Sequence, residues 1–64
     1  MNKEEINQVL NQLKDGELSE FHVSKDDFLS FRQVLVERAD FKHFRGIAQR
    51  GGEVIYEYLK EARS

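Results

Sequence analysis

The sequence predicts an α+β fold: one small domain, residues 1–64, in the order α-β-α-β-β. Its three-stranded antiparallel sheet ends in a C-terminal hairpin, and two helices pack on it. Three observations predict this. Two β-prone runs flank Arg50-Gly51-Gly52, which is hairpin grammar. Apolar residues recur at helical spacing near the start and again from Phe28 onward. Between those stretches, residues 18–23 alternate in the manner of a short strand.

The first helix is expected over residues 2–15. Ile6, Val9, Leu10 and Leu13 make one narrow apolar stripe. Glu4 and Glu5 near the start and Lys14 near the end suit the helix dipole, and Gly16 is a natural stop. So narrow a stripe covers a core rather than forming its centre.

In Leu18-Ser-Glu-Phe-His-Val23, a strand turns Phe21 and Val23 inward and Glu20 and His22 outward. A helical reading of this short segment stays open. Ser24 then reads as an N-cap, with Asp26 and Asp27 in the acid-favouring first turn of a helix over 25–38. Phe28, Leu29, Phe31, Leu35, Val36 and Ala39 span an arc of roughly 160°. Arg32 falls inside that arc. It reads as an arginine whose stem packs while its head reaches water, as one aimed into a groove to meet a carboxylate or phosphate, or as half of an internal salt bridge.

Loop length decides the faces of the hairpin. A two-residue loop, Gly51-Gly52, puts Phe44, Ala48, Ile55 and Leu59 on one face with Gly46 and Glu57. A three-residue loop, Arg50-Gly51-Gly52 with Gly52 left-handed, pairs Phe44 with Tyr58, Gly46 with Tyr56, and Ala48 with Val54. Its other face pairs Arg45 with Glu57, Ile47 with Ile55, and Gln49 with Glu53. The three-residue loop is preferred. It separates the faces more cleanly, lets Tyr56 cover bare Gly46, and opposes unlike charges. Ile47, Ile55 and Leu59 then leave an apolar streak on the outer face, to be covered by the first helix, a second subunit or another protein. The last strand is expected in the centre of the sheet.

Composition narrows the function classes. A chain of 64 residues is one domain at most, and one this short buries only about 60% of its unfolded surface. Without cysteine it has neither a disulfide nor a thiolate zinc site, so a partner subunit is a candidate staple. No apolar run approaches the roughly 20 residues of a membrane span, and Met-Asn-Lys-Glu-Glu does not read as a signal peptide. A cytoplasmic protein without membrane contact is expected. Residues 1–31 hold three lysines against seven acids, whereas residues 32–64 hold seven basic residues against five acids. That asymmetry suits head-to-tail association or nucleic-acid contact.

No phosphate loop, dinucleotide fingerprint, nucleophile elbow, zinc-protease helix or EF-hand occurs. His22 and His43 with Glu20, Asp26 or Asp27 lack any spacing that demands a metal. Asp26 and Asp27 are read as helix-capping acids rather than catalytic ones. No catalytic residue, cofactor or metal is expected, and the chain is not expected to be an enzyme.

Two functions remain. The first is a non-catalytic protein-interaction or regulatory module, dimeric or bound to another protein, using Ile47, Ile55, Leu59 and Arg32. The second is nucleic-acid binding through Lys42, Arg45 and Arg50, since no acid lies between Asp40 and Glu53. The basic, glycine-tipped hairpin resembles the wing of winged-helix domains. That resemblance implies a tip approaching the phosphate backbone or minor groove. It covers the hairpin and the helix-strand-helix order before it. A winged helix has two helices between its first and second strands, and here 25–38 has room for one of ordinary length. Contact would then fall on phosphates rather than base edges.

Overall fold

The computed structural model describes residues 1–62; Arg63, one of the basic residues counted above, lies outside them. The elements run α1 (Lys3–Asp15), β1 (Phe21–Val23), α2 (Phe28–Glu37), β2 (Phe44–Ala48) and β3 (Val54–Tyr58). The sheet order is β1-β3-β2, all antiparallel, with β3 in the centre. This is the α+β arrangement the sequence predicts.

Helix α1 begins on a reciprocal cap. The Glu5 N–H donates to Asn2 Oδ1 at 2.8 Å, and the Asn2 N–H donates to Glu5 Oε1 at 3.1 Å. Gly16, left-handed, ends the helix by donating its N–H to the last carbonyls. Ile6, Leu10 and Leu13 are fully buried, and Val9 packs beside them.

Strand β1 is shorter than expected, at three residues. Its facing is as predicted: Val23 is buried and His22 is exposed. Helix α2 starts at Phe28, later than expected. Ser24 forms a separate turn first: its hydroxyl and carbonyl oxygens accept the Asp27 N–H at 3.3 and 3.1 Å. Asp27, not Ser24, occupies the N-cap position, and it makes no capping bond to the helix. Its carboxylate instead accepts the Ser24 hydroxyl and faces the Met1 ammonium.

The roll of α2 differs from the predicted arc. Phe31, Val34 and Leu35 are buried, while Leu29 is 70% and Val36 48% exposed and Ala39 is exposed too. The buried stripe is turned by roughly 80° from the expected one, at 100° per residue. The cause is Phe31, which has no exposed surface. It stacks between Phe21, at 5.9 Å between centroids, and Tyr56, at 4.9 Å. Such aromatic contacts contribute about 0.5–1.5 kcal/mol each beyond burial.

The hairpin has the preferred register, with Phe44 opposite Tyr58, Gly46 opposite Tyr56 and Ile47 opposite Ile55. Both Gly51 and Gly52 are left-handed, at φ 82° and 88°. A Cβ at Gly46 would stand 3.1 Å from Tyr56 Cε1, so the bare glycine admits the tyrosine ring. Of the residues expected on the core face, Phe44 and Tyr56 are buried. Ala48 is exposed, because no helix reaches the end of β2.

One side chain ties the layers together. Just past α2, the Arg38 guanidinium donates to Asn7 Oδ1 at 3.0 Å and Asn11 Oδ1 at 2.9 Å on α1. It also donates through Nε and Nη2 to the Asp40 carboxylate at 2.9 and 3.1 Å, and it lies 5.7 Å from the centre of the Phe44 ring. The Arg38 hydrogen bond holds the Asp40 carboxyl below its ordinary value of 3.8, against a partial opposing effect of burial.

Phe31→Ala should therefore cost about 3–5 kcal/mol, comparable to the whole stability of a domain this size. Leu29→Ser should stay within about 0.5 kcal/mol of the parent; urea denaturation followed by circular dichroism measures both. The Asp40 pKa is lowered on folding, so its ionised form stabilises the fold above pH 3.8. That contribution disappears as pH falls through the lower folded value. Asp40→Asn should be less stable than the parent at pH 7, and the difference should shrink as urea titrations are stepped down below pH 4.

Candidate functional site

Both helices pack on the same face of the sheet. Ile6, Leu10 and Leu13 of α1 and Phe31, Val34 and Leu35 of α2 share one cluster with Val23, Phe44 and Tyr56. Among the described residues nothing packs on the opposite face. The first helix, one of the three expected covers for that face, lies on the other side.

The uncovered face follows from the register. Ile47 and Ile55 are directly opposed, with His22 next to Ile55 on the other flank. Ile47, Ile55 and Leu59 are half-buried by their neighbours within the sheet. Charges frame them: Arg45 Nη1 lies 3.9 Å from Glu57 Oε1, and the His22 Nε2–H donates to Glu20 Oε2 at 2.8 Å. An apolar centre with one sign of charge beside the other can meet a copy of itself.

Arg32 does not belong to this face. It is exposed on α2, on the helix side of the sheet, and among the described residues it makes no hydrogen bond or ion pair. It lines a groove of about 420 Å³ between α2 and β2. Leu35 and Val36 form the helix wall, Gly46 and Ala48 the strand wall, and Tyr56 part of the floor. Of the three readings of Arg32, the internal salt bridge is absent among the described residues, and an exposed arginine at a groove fits both others. Val36, which the roll of α2 leaves outside, joins Phe28, Phe41 and Phe44 in making the groove apolar.

The basic residues are dispersed. Lys42 lies in a single 3₁₀ turn before β2, Arg45 is on the uncovered face opposite Glu57, and Arg50 is exposed at the hairpin tip. Between β1 and β2 there is one α-helix and that 3₁₀ turn, so no second helix stands where a winged helix has its recognition element. The histidines sit apart, His22 on the edge strand β1 and His43 at the end of the 3₁₀ turn before β2. His43 Nδ1–H donates to the Leu59 carbonyl at 2.8 Å and its ring stacks on Tyr58. Among the described residues no group of three or more metal-ligating side chains gathers. No helix is long and apolar enough to cross a membrane.

Sequence reasoning missed Arg38 and its asparagine partners. It also passed over the Asn2–Glu5 cap, although Asn-x-x-Glu before an apolar stripe was a signal for it. No curated protein and no solved structure matches the chain. Residues 3–57, from the first residue of α1 to the penultimate residue of β3, match the YkzS-like protein family, and the chain belongs to that family.

Proposed function

We propose that this chain is a small, non-catalytic interaction module of the cytoplasm that works through the uncovered face of its sheet, with a second copy as the first partner. One observation carries the reading: Ile47 and Ile55 stand side by side on a face with no helix over it. The Arg45–Glu57 pair beside them supports a two-fold contact, in which each charge meets the opposite charge of the other copy. The groove supports the non-catalytic part, since among the described residues Arg32 is the one charged side chain in its lining.

Size sets the strength. Strands of five residues in a three-stranded sheet give a face of about 17 by 14 Å. That is well under the roughly 800 Å² that each partner contributes to a standard interface. Association should therefore be weak, with a dissociation constant in the micromolar range or above.

Sedimentation equilibrium from about 10 µM to about 1 mM, a roughly hundredfold window covering that range, should show a reversible dimer. Ile55→Asp should remain folded by circular dichroism and sediment as a monomer throughout. A parent that is monomeric at every concentration would remove the self-association reading. A folded Ile55→Asp that dimerises like the parent would move the contact off this face.

A second reading rests on the acid-free stretch between Asp40 and Glu53 and the exposed Arg50 at the tip. In it, Lys42, Arg45 and Arg50 contact phosphates. Arg45→Glu with Arg50→Glu should then abolish binding to a fluorescent duplex, and parent affinity should fall by about 0.9 log units per log unit of salt for each phosphate contact. Absence of binding to DNA and RNA at low salt rules this reading out.

A further inference from the structure

The free edge of β2 carries information that neither reading uses. The Gln49 N–H donates to the Glu53 carbonyl at 2.8 Å, and the Leu59 N–H to the His43 carbonyl at 2.7 Å. In an antiparallel ladder this makes the odd-numbered residues of β2 the ones bonded to β3. The N–H and C=O groups of Gly46 and Ala48 therefore point away from the sheet. Phe44, the remaining even-numbered residue, already donates its N–H to the Phe41 carbonyl.

Gly46 and Ala48 also form one wall of the groove. Both are small, so backbone can come close to the strand while a neighbour's side chains drop toward Tyr56, Leu35 and Val36. Edge and groove thus face one incoming strand: the edge supplies backbone partners, and the groove accepts alternate side chains. The charges select the strand. Arg32 stands at the groove without a partner among the described residues. Lys42 and Arg50 lie just beyond the two ends of β2, and no acid occurs between Asp40 and Glu53. A second β2 edge would bring the same cations against these, so pairing of two β2 edges is disfavoured.

We infer that β2 and α2 together receive an extended acidic peptide segment, which adds a fourth strand beside β2. Its backbone bonds Gly46 and Ala48, its alternate apolar side chains enter the groove, and a carboxylate meets Arg32. The uncovered sheet face takes no part, so this inference and the dimer reading can fail separately.

The test selects phage-displayed random dodecapeptides on the immobilised full chain and titrates an enriched peptide into ¹⁵N-labelled protein. Enriched sequences should alternate apolar and acidic residues. Amide exchange at Gly46 and Ala48 should slow by about tenfold or more. Arg32→Glu should weaken binding by about tenfold or more, as for loss of one charge-assisted hydrogen bond, and Arg32→Lys should restore most of it. Ile55→Asp should bind like the parent. The inference is overturned by no enrichment above background, by perturbation centred on Ile47 and Ile55 instead of Gly46 and Ala48, or by Arg32→Glu binding like the parent. Concentration-dependent protection of Gly46 and Ala48 without peptide would overturn it in favour of a second copy at the edge.

Discussion

The stacking of Phe31 between Phe21 and Tyr56 governs the rest of the molecule. Those three rings join α2, an edge strand and the central strand, and they fix the roll of the helix. With Phe31 pointing at the sheet, Val34 turns toward the core beside α1, and Leu29 and Val36 turn away. Arg32 is carried around with them and ends at the groove rather than in the core. Gly46 belongs to the same arrangement, because a Cβ there would crowd the Tyr56 ring at 3.1 Å. One aromatic contact thus sets both the core and the groove between α2 and β2.

The second constraint is the number of layers. Two helices and a three-stranded sheet make two layers when both helices share a face, and the other face then has no cover. A chain this short has little further surface to bury. It compensates with a polar tie. Arg38 joins α1, the loop after α2 and the start of β2 through four hydrogen bonds and a ring contact. A planar guanidinium suits this role, since its fork satisfies two asparagines and a carboxylate at once. Only 16% of the Arg38 side chain and 20% of the Asp40 side chain is exposed, so the tie carries part of the desolvation cost of a buried charge, which its four hydrogen bonds offset.

The hairpin was the most legible part of the sequence. Its register followed from local facts: opposed charges at Arg45 and Glu57, a bare glycine opposite a tyrosine, and a three-residue tip. Helix α1 was equally plain, because its four apolar residues form a single stripe and all of them go inward. Helix α2 was harder for a physical reason. With Val34 included, its apolar residues span a wider arc than one buried stripe needs, so periodicity alone does not say which flank faces water. That choice depends on Phe21 and Tyr56, which are distant in sequence. Arg38 was illegible on the same ground, since Asn7 and Asn11 lie 31 and 27 residues away and carry no charge to announce the contact. The groove could not be read either, as it exists only once α2 has its roll.

The two edges of the sheet are unequal, and this bears on why the chain need not polymerise. Its acidic half carries the β1 edge, with Glu17, Glu20, Asp26 and Asp27 around the strand, and its basic half carries the β2 edge. Complementary edges on opposite sides invite head-to-tail strand pairing, which does not close and grows into fibres. The ladder limits this. Even-numbered residues of β3 bond to β1, so within β1 the residue left pointing outward is His22. Its flank is held by its bond to Glu20. A three-residue strand with one outward residue is a poor template. The β2 edge has two outward residues and a cavity next to them. Edge length, more than charge, therefore separates the side of the sheet suited to a strand from the side that is closed to one.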